Sequence, residues 1–166
     1  MAEEATFVIV KPDAIKRGLV GVVLSRLETL HLHIIGAKVV RVSRELAEEH
    51  YHHLREKPFF GELLDYLEGK IHDVPYVLAL VFWGADAIRR VRELTGLTHP
   101  ERAEPTSIRG SLGRITGSGV MENVVHASSD SQEAEREIQL WFKPTELLRD
   151  LNFPLPKEER DRVRGR

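Results

Sequence analysis

Six consecutive residues, Asn123-Val124-Val125-His126-Ala127-Ser128, combine a short apolar alternation with an amide, an imidazole and a hydroxyl. Alternate side chains of a strand share a face, so His126 and Ser128 point the same way. A neutral imidazole at a strand end, beside a hydroxyl, is a ready nucleophile or general base. A lone histidine in such a place is more often half-buried and merely hydrogen-bonded. Cations elsewhere in the chain tip the reading toward chemistry. Lys11 follows a buried-strand pattern and precedes Pro12, and Arg92 sits four residues after Ile88 at the edge of an apolar stripe. Arg109 stands in Ser107-Ile108-Arg109-Gly110, where the glycine permits close backbone approach. Singly, each is more often a solvated surface charge. The chain has no Walker-type loop and no dinucleotide fingerprint, so phosphate would have to be held by side chains such as these. Arginine offers a planar fork for that purpose, and lysine a point charge.

The 166 residues, 42% hydrophobic and 30% charged, fit one soluble domain over residues 1–150, followed by a charged tail over 151–166. No apolar run approaches membrane-spanning length, and the acidic start Met1-Ala2-Glu3-Glu4-Ala5 is unlike a signal or transit peptide. Cysteine is absent, which excludes disulfides and thiolate chemistry and makes a cytoplasmic location the simplest expectation. The net charge is −2, and the last ten residues carry five basic and three acidic side chains. The body is therefore more acidic than the whole, without the basic field that draws nucleic acid. Neither a membrane nor a nucleic acid is an expected partner.

These residues need a frame to bring them together. Thr6 to Val10 reads as a buried strand, and Arg17-Gly18 opens a helix with Val20, Val23, Leu24, Leu27 and Leu30 at helical spacing. Ile34 to Val42 reads as a second strand, and Ser43 as the cap of a helix bearing Leu46, Ala47, Tyr51 and Leu54. Pro58 starts a further helix; Tyr76 to Trp83 is a third strand that Gly84 ends, and Ile88, Val91 and Leu94 mark the helix after it. Gly96 to Glu122 is polar and without periodicity, too long for an ordinary connection. The histidine strand follows, then a helix from near Ser129-Asp130 that buries Ala134, Ile138 and Trp141. The order predicts an α+β sandwich: a ferredoxin-like βαββαβ pattern, with a four-stranded antiparallel sheet and helices covering one face.

Seven motifs in order, from about Ala5 to Leu148, resemble nucleoside diphosphate kinase. They are Val8-Ile9-Val10-Lys11-Pro12-Asp13, Arg17-Gly18-Leu19-Val20-Gly21, His50-Tyr51, Lys57-Pro58-Phe59-Phe60, Ile108-Arg109-Gly110, Asn123 to Ser128, and Glu135 to Phe142. The resemblance implies that His126 takes the γ-phosphate from a nucleoside triphosphate and passes it to a nucleoside diphosphate in a ping-pong exchange. Glu137, bordering the buried face of its helix, matches the carboxylate that fixes the histidine tautomer, and Ser128 supports that carboxylate or the phosphate. Lys11, Arg92 and Arg109 match the phosphate-binding cations, with Tyr51, Thr98 and Asn123 adding hydrogen bonds. Phe59 matches the ring that stacks on the base, and Leu63 adds apolar surface one turn later. Two adjacent helical phenylalanines cannot share a direction, so an exposed Phe59 and an inward Phe60 are compatible. Mg2+ would arrive on the nucleotide phosphates and need no protein ligands. His50 and His53 could share a helical face as a metal pair, but no third ligand is evident.

The chain departs from the family pattern in places. Pro105-Thr106-Ser107-Ile108-Arg109-Gly110-Ser111 lacks the glycine and the aspartate usual there, and about four extra residues lie between Gly110 and His126, Gly117-Ser118-Gly119 among them. That loop packs between subunits in the family's hexamers, so the resemblance implies a homo-oligomer, a hexamer, with the Gly96–Glu122 segment at the contact. Two readings follow: a working enzyme that equilibrates nucleoside triphosphates, and a nucleotide-binding regulator on the same fold. The retained chemical residues favour the first.

Overall fold

Strand β1 (Glu3–Val10) is the axis on which the rest is hung, and the reason is written in its side chains. Thr6 to Val10 are all fully buried, so both of its faces meet the interior. Phe7 and Ile9 face one apolar cluster, and Val8 and Val10 face the other. A strand covered on both sides reads as a continuous apolar run, as this one does. The structure is a computed structural model that describes residues 3–152. The charged tail expected over 151–166 falls, from residue 153 on, outside the described residues.

The remaining main elements follow in chain order: α1 (Pro12–Lys16), α2 (Val20–Glu28), β2 (His33–Val40), α3 (Arg44–His50), α4 (Phe60–Leu67), β3 (Val77–Ala85), α5 (Ala87–Thr95), α6 (Ile108–Leu112), β4 (Arg114–Ile115), β5 (Met121–Glu122), β6 (Val125–Ala127) and α7 (Ser131–Trp141). The sheet order is β2-β3-β1-β6, with every neighbouring pair antiparallel. This is the ferredoxin-like arrangement that the element order predicts.

Several details differ from the sequence reading. Helices cover both faces of the sheet, not one: α3, α4 and α7 pack on the Phe7 side, while α2, α5 and α6 pack on the Val8 side. The cause is the two-sided apolar character of β1. Strand β2 ends at Val40 rather than Val42, because the chain turns out of the ladder toward the Ser43 cap, whose side chain accepts from the Leu46 N–H. Gly84 does not end β3; it stays in register opposite Glu4, and a Cβ there would lie 2.7 Å from Leu32. The Gly96–Glu122 segment is not structureless, for it holds α6, the two-stranded β4–β5 ladder and a 3-10 turn at Pro100–Arg102. Elements of two to five residues are too short to register as periodicity.

Candidate active site

Strand β6 carries His126 into the sheet beside β1, with His126 paired to Ile9. The strand is shorter than the sequence predicts, beginning at Val125 rather than Asn123. Before it, the Val125 N–H donates to the Asn123 carbonyl at 2.8 Å, across Val124 at φ +73°. A β-branched residue in that region forms the rare, strained γ-turn and costs about 1–3 kcal/mol. Three contacts hold it. The Val124 N–H donates to Asp13 Oδ2 at 3.1 Å, the Lys11 N–H donates to the Val124 carbonyl at 2.9 Å, and the Asn123 side-chain amide donates to the Thr98 carbonyl at 3.1 Å. The strain turns the chain so that Asn123 and His126 address the same space.

Behind His126 stands a carboxylate with both oxygens engaged. His126 Nε2 lies 2.8 Å from Glu137 Oε1, and the Ser128 hydroxyl donates to Glu137 Oε2 at 2.6 Å. Ser128 in turn accepts from the Phe7 N–H at 3.2 Å, which fixes the hydroxyl to β1. A carboxylate accepts, so Nε2 carries the ring proton and Nδ1 keeps its lone pair. Nδ1 has no hydrogen-bond partner among the described residues, and the ring lines a cleft. Burial, reinforced by Lys11 and Arg109, pushes the His126 pKa well below the ordinary value, so the ring is neutral and nucleophilic at neutral pH. Burial raises Glu137, and the Ser128 hydrogen bond opposes that shift.

His50, which the sequence offers as a partner of His53, is instead a neighbour of His126. It is buried, its ring centre is 4.5 Å from that of His126 in an edge-to-face arrangement, and its Nδ1 accepts from Trp141 Nε1 at 3.2 Å. Its pKa is pushed well down, chiefly by burial. The His50–His53 metal pair does not form: His50 ends α3 inside the core, while His53 is exposed in the following 3-10 turn. Among the described residues the one metal-competent group is His50, His126 and Glu137, with ligand atoms within 4.8 Å of one another. Hydrogen bonds already occupy two of its members mutually.

The cleft, of about 640 Å3, is of the size that takes a small ligand. Lys11, Tyr51, Phe59, Leu63, Arg92, Thr98, Arg109 and Asn123 all line it with His126, while Ser128 and Glu137 lie behind the imidazole. Lys11 is buried and its Nζ donates to Asn123 Oδ1 at 2.8 Å. Burial and the nearby Arg109 lower its pKa to about 7, against the pull of Asp13. Arg109 is also buried, and its guanidinium donates to the Val125 carbonyl at 2.9 Å and the Gly96 carbonyl at 2.9 Å. Burial lowers it to about 10, which leaves it a cation at neutral pH. Two buried basic side chains, neither bonded to a carboxylate among the described residues, call for an anion. The buried Tyr51 hydroxyl also lacks a hydrogen-bond partner among the described residues, and burial raises its pKa.

The altered loop still delivers Arg109. Ser107 caps α6 by accepting from the Gly110 N–H at 3.0 Å, and Arg26 of α2 bonds the Thr106 and Ser107 carbonyls and the Ser111 hydroxyl. Ser111 thus supplies an acceptor where the family pattern has aspartate. Phe59 is 50% exposed at the cleft, whereas Phe60 packs against the core; the helix begins at Phe60 rather than at Pro58, so Phe59 stands just before it as the N-cap and the two rings part there. Val120 and Met121, on the turn and strand of the β4–β5 hairpin, also line the cleft, as do Leu54 and Tyr66. The only signal of Val120 and Met121 in the sequence is an apolar pair inside a polar stretch.

The nucleoside diphosphate kinase family model matches residues 4–147. Among similar proteins, the nucleoside diphosphate kinase of Pyrococcus horikoshii is 48% identical over 145 residues, 87% of this chain and 88% of that protein. That of Archaeoglobus fulgidus is also 48% identical over 145 residues, 87% of this chain and 90% of its own length. Among solved structures, a halophilic nucleoside diphosphate kinase from Halobacterium salinarum in complex with CDP superposes with a TM-score of 0.79 at 38% identity, covering 98% of this chain and 99% of that one. A transition-state mimic of the Borrelia burgdorferi enzyme with vanadate and ADP gives 0.78 at 33% identity, covering 94% and 95%. With its sequence matched from residue 4 to residue 147 and its fold shared, the chain belongs to the nucleoside diphosphate kinase family.

Proposed function

We propose that this kinase, which moves the γ-phosphate of a nucleoside triphosphate to a nucleoside diphosphate, does so through His126. The Nδ1 lone pair attacks the γ-phosphorus as the bond to the β–γ bridging oxygen breaks, and the first diphosphate leaves with that electron pair. A β-phosphate oxygen of the second nucleotide then attacks the phosphorus and returns the pair to Nδ1. The observation that carries this reading is the Ser128–Glu137–His126 chain, which commits Nε2 to the carboxylate and leaves Nδ1 free beside Lys11 and Arg109.

Each cleft residue has a part in this scheme. Lys11, Arg92 and Arg109 bind the phosphates and stabilise charge spread over the transferring group. Asn123 orients Lys11, and Tyr51 and Thr98 add hydroxyl donors. Phe59 stacks on the base with Leu63 beside it, a contact that tolerates every base because each has a π-face. Among the cleft-lining residues Glu62 is the one carboxylate, so the donor set suits anions and a metal that rides on them. Mg2+ bound to the nucleotide supplies neutralisation of phosphate oxygens. The working compartment in this reading is the cytoplasm, with one catalytic domain over residues 1–150.

The assembly in this reading is a hexamer built from dimers. Support comes from β2, an edge strand with no strand paired to its outer side among the described residues, which exposes Ile34 and Val39. Initial rates test the kinetic scheme: varying ATP at several fixed GDP concentrations should give parallel double-reciprocal lines. Intersecting lines would mean that both nucleotides bind before transfer, and would overturn the phosphoenzyme route.

A further inference from the structure

Glu122 directly precedes Asn123 but touches none of the phosphate-binding side chains, and its buried carboxylate gathers one imidazole and two guanidinium groups from three parts of the chain. His72, in the connection after α4, places Nε2 at 3.0 Å from Oε1; Arg114, opposite it in the β4–β5 ladder, places Nε at 2.6 Å from Oε2; Arg17, after α1, lies at 3.7 Å. Burial pushes the carboxyl up, yet the hydrogen bonds from Arg114 and His72 outweigh it and hold the group below the usual carboxylate range. His72 is itself enclosed, with its ring 4.9 Å from that of Tyr66, a cleft residue.

The hairpin fastened this way is small. Its two strands have two residues each, and its turn is closed by the Thr116 N–H to the Val120 carbonyl at 2.9 Å and the Val120 N–H to Thr116 Oγ1 at 3.0 Å. A ladder this short is marginal by itself and takes its position from what it is tied to. Its Gly119, Val120 and Met121 form one wall of the cleft. By contrast, the segment from Asn123 to His126 is pinned separately, by Asp13, Lys11 and Thr98.

We propose that Glu122 is a positioning residue: by drawing His72, Arg114 and Arg17 together it holds the β4–β5 hairpin as a wall of the nucleotide cleft, and so sets nucleotide affinity without entering the transfer step. The inference rests on the kinase reading above. Removing the charge loosens the wall while the independently pinned His126 segment stays, so KM rises and kcat does not follow.

Steady-state kinetics with ATP and GDP on Glu122→Gln test this, together with amide exchange read along the chain. The expected result is a KM raised about tenfold, the scale of one lost charge-assisted contact, with kcat within about threefold. Exchange at Thr116 and Val120 should speed up while β6 stays protected. Arg114→Gln, at an exposed position that leaves the core intact, should give a smaller KM rise of the same kind and covers the case in which Glu122→Gln does not fold. KM within twofold of wild type with unchanged hairpin exchange overturns the proposal, as does a loss carried by kcat. The wild-type control separates the two readings. If wild type takes no phosphoryl group from ATP, the kinase reading falls; normal wild-type transfer with unaltered variants overturns the role of Glu122 alone.

Discussion

Asp13 Oδ2 accepts the Val124 N–H at 3.1 Å, and through that one bond helix α1 holds the strained turn ahead of His126. The carboxylate is fully buried, and it lies two residues from Lys11, so both the cation and the turn depend on the start of α1. Removing the acceptor leaves a buried N–H unpaired while the positive-φ valine must still be paid for.

Asp13→Ala should therefore destabilise the fold by about 2–3 kcal/mol and also slow the enzyme, because Asn123 and His126 lose their shared orientation. Denaturant melts and kcat check this together. Full activity in a destabilised variant would show that the turn does not aim the site.

Lys11 carries a pH signature. In the free protein its pKa is lowered to about 7, first by burial and then by Arg109, so at pH 8 the amine is mostly neutral. A phosphate beside it favours the charged form and raises the pKa again. Nucleotide binding at pH 8 should then take up close to one proton, and uptake should shrink toward pH 6, where Lys11 is already charged. Calorimetry in buffers of different ionisation heat measures this. No uptake at pH 8, or uptake unchanged in Lys11→Arg, would remove Lys11 from the phosphate site.

Arg109→Ala should cost about a hundredfold in kcat/KM, the scale of one aimed charge donor. The orientation of Arg109 is already set by the Val125 and Gly96 carbonyls, and Arg26 clamps the loop that carries it. A variant within twofold of wild type would show that the altered loop holds Arg109 away from substrate.

Phe59→Ala should raise KM for every nucleotide by a similar factor, since a half-exposed ring offers a stacking face and no hydrogen bonds. A change confined to guanine nucleotides would point to hydrogen-bonded base readout instead.

The features legible in the sequence are those that local chemistry writes down. The apolar run in Thr6–Val10 marked a buried strand, Ser43 marked a helix cap, and the placement of Glu137 beside Ile138 marked a carboxylate at the edge of the buried face. His126 and Ser128 do share a face, and both reach Glu137. What escaped depends on contacts distant in sequence. No local signal tells that Val124 sits at positive φ, because the bond that holds it comes from Asp13, 111 residues away. Nor does the His50-Tyr51-His52-His53 run reveal that His50 packs on His126 instead of pairing with His53, since that follows from how α3 meets β6 and Trp141. The hairpin wall was hidden for a different reason: two-residue strands leave no alternation to detect.

The phosphoryl group on His126 is the most direct thing to measure. Wild-type protein incubated with γ-labelled ATP should carry an acid-labile, base-stable label that unlabelled GDP removes, and His126→Ala should carry none. Label that persists in the alanine variant, or that resists transfer to GDP, would contradict the assignment of His126 as the group that carries phosphate between the two nucleotides.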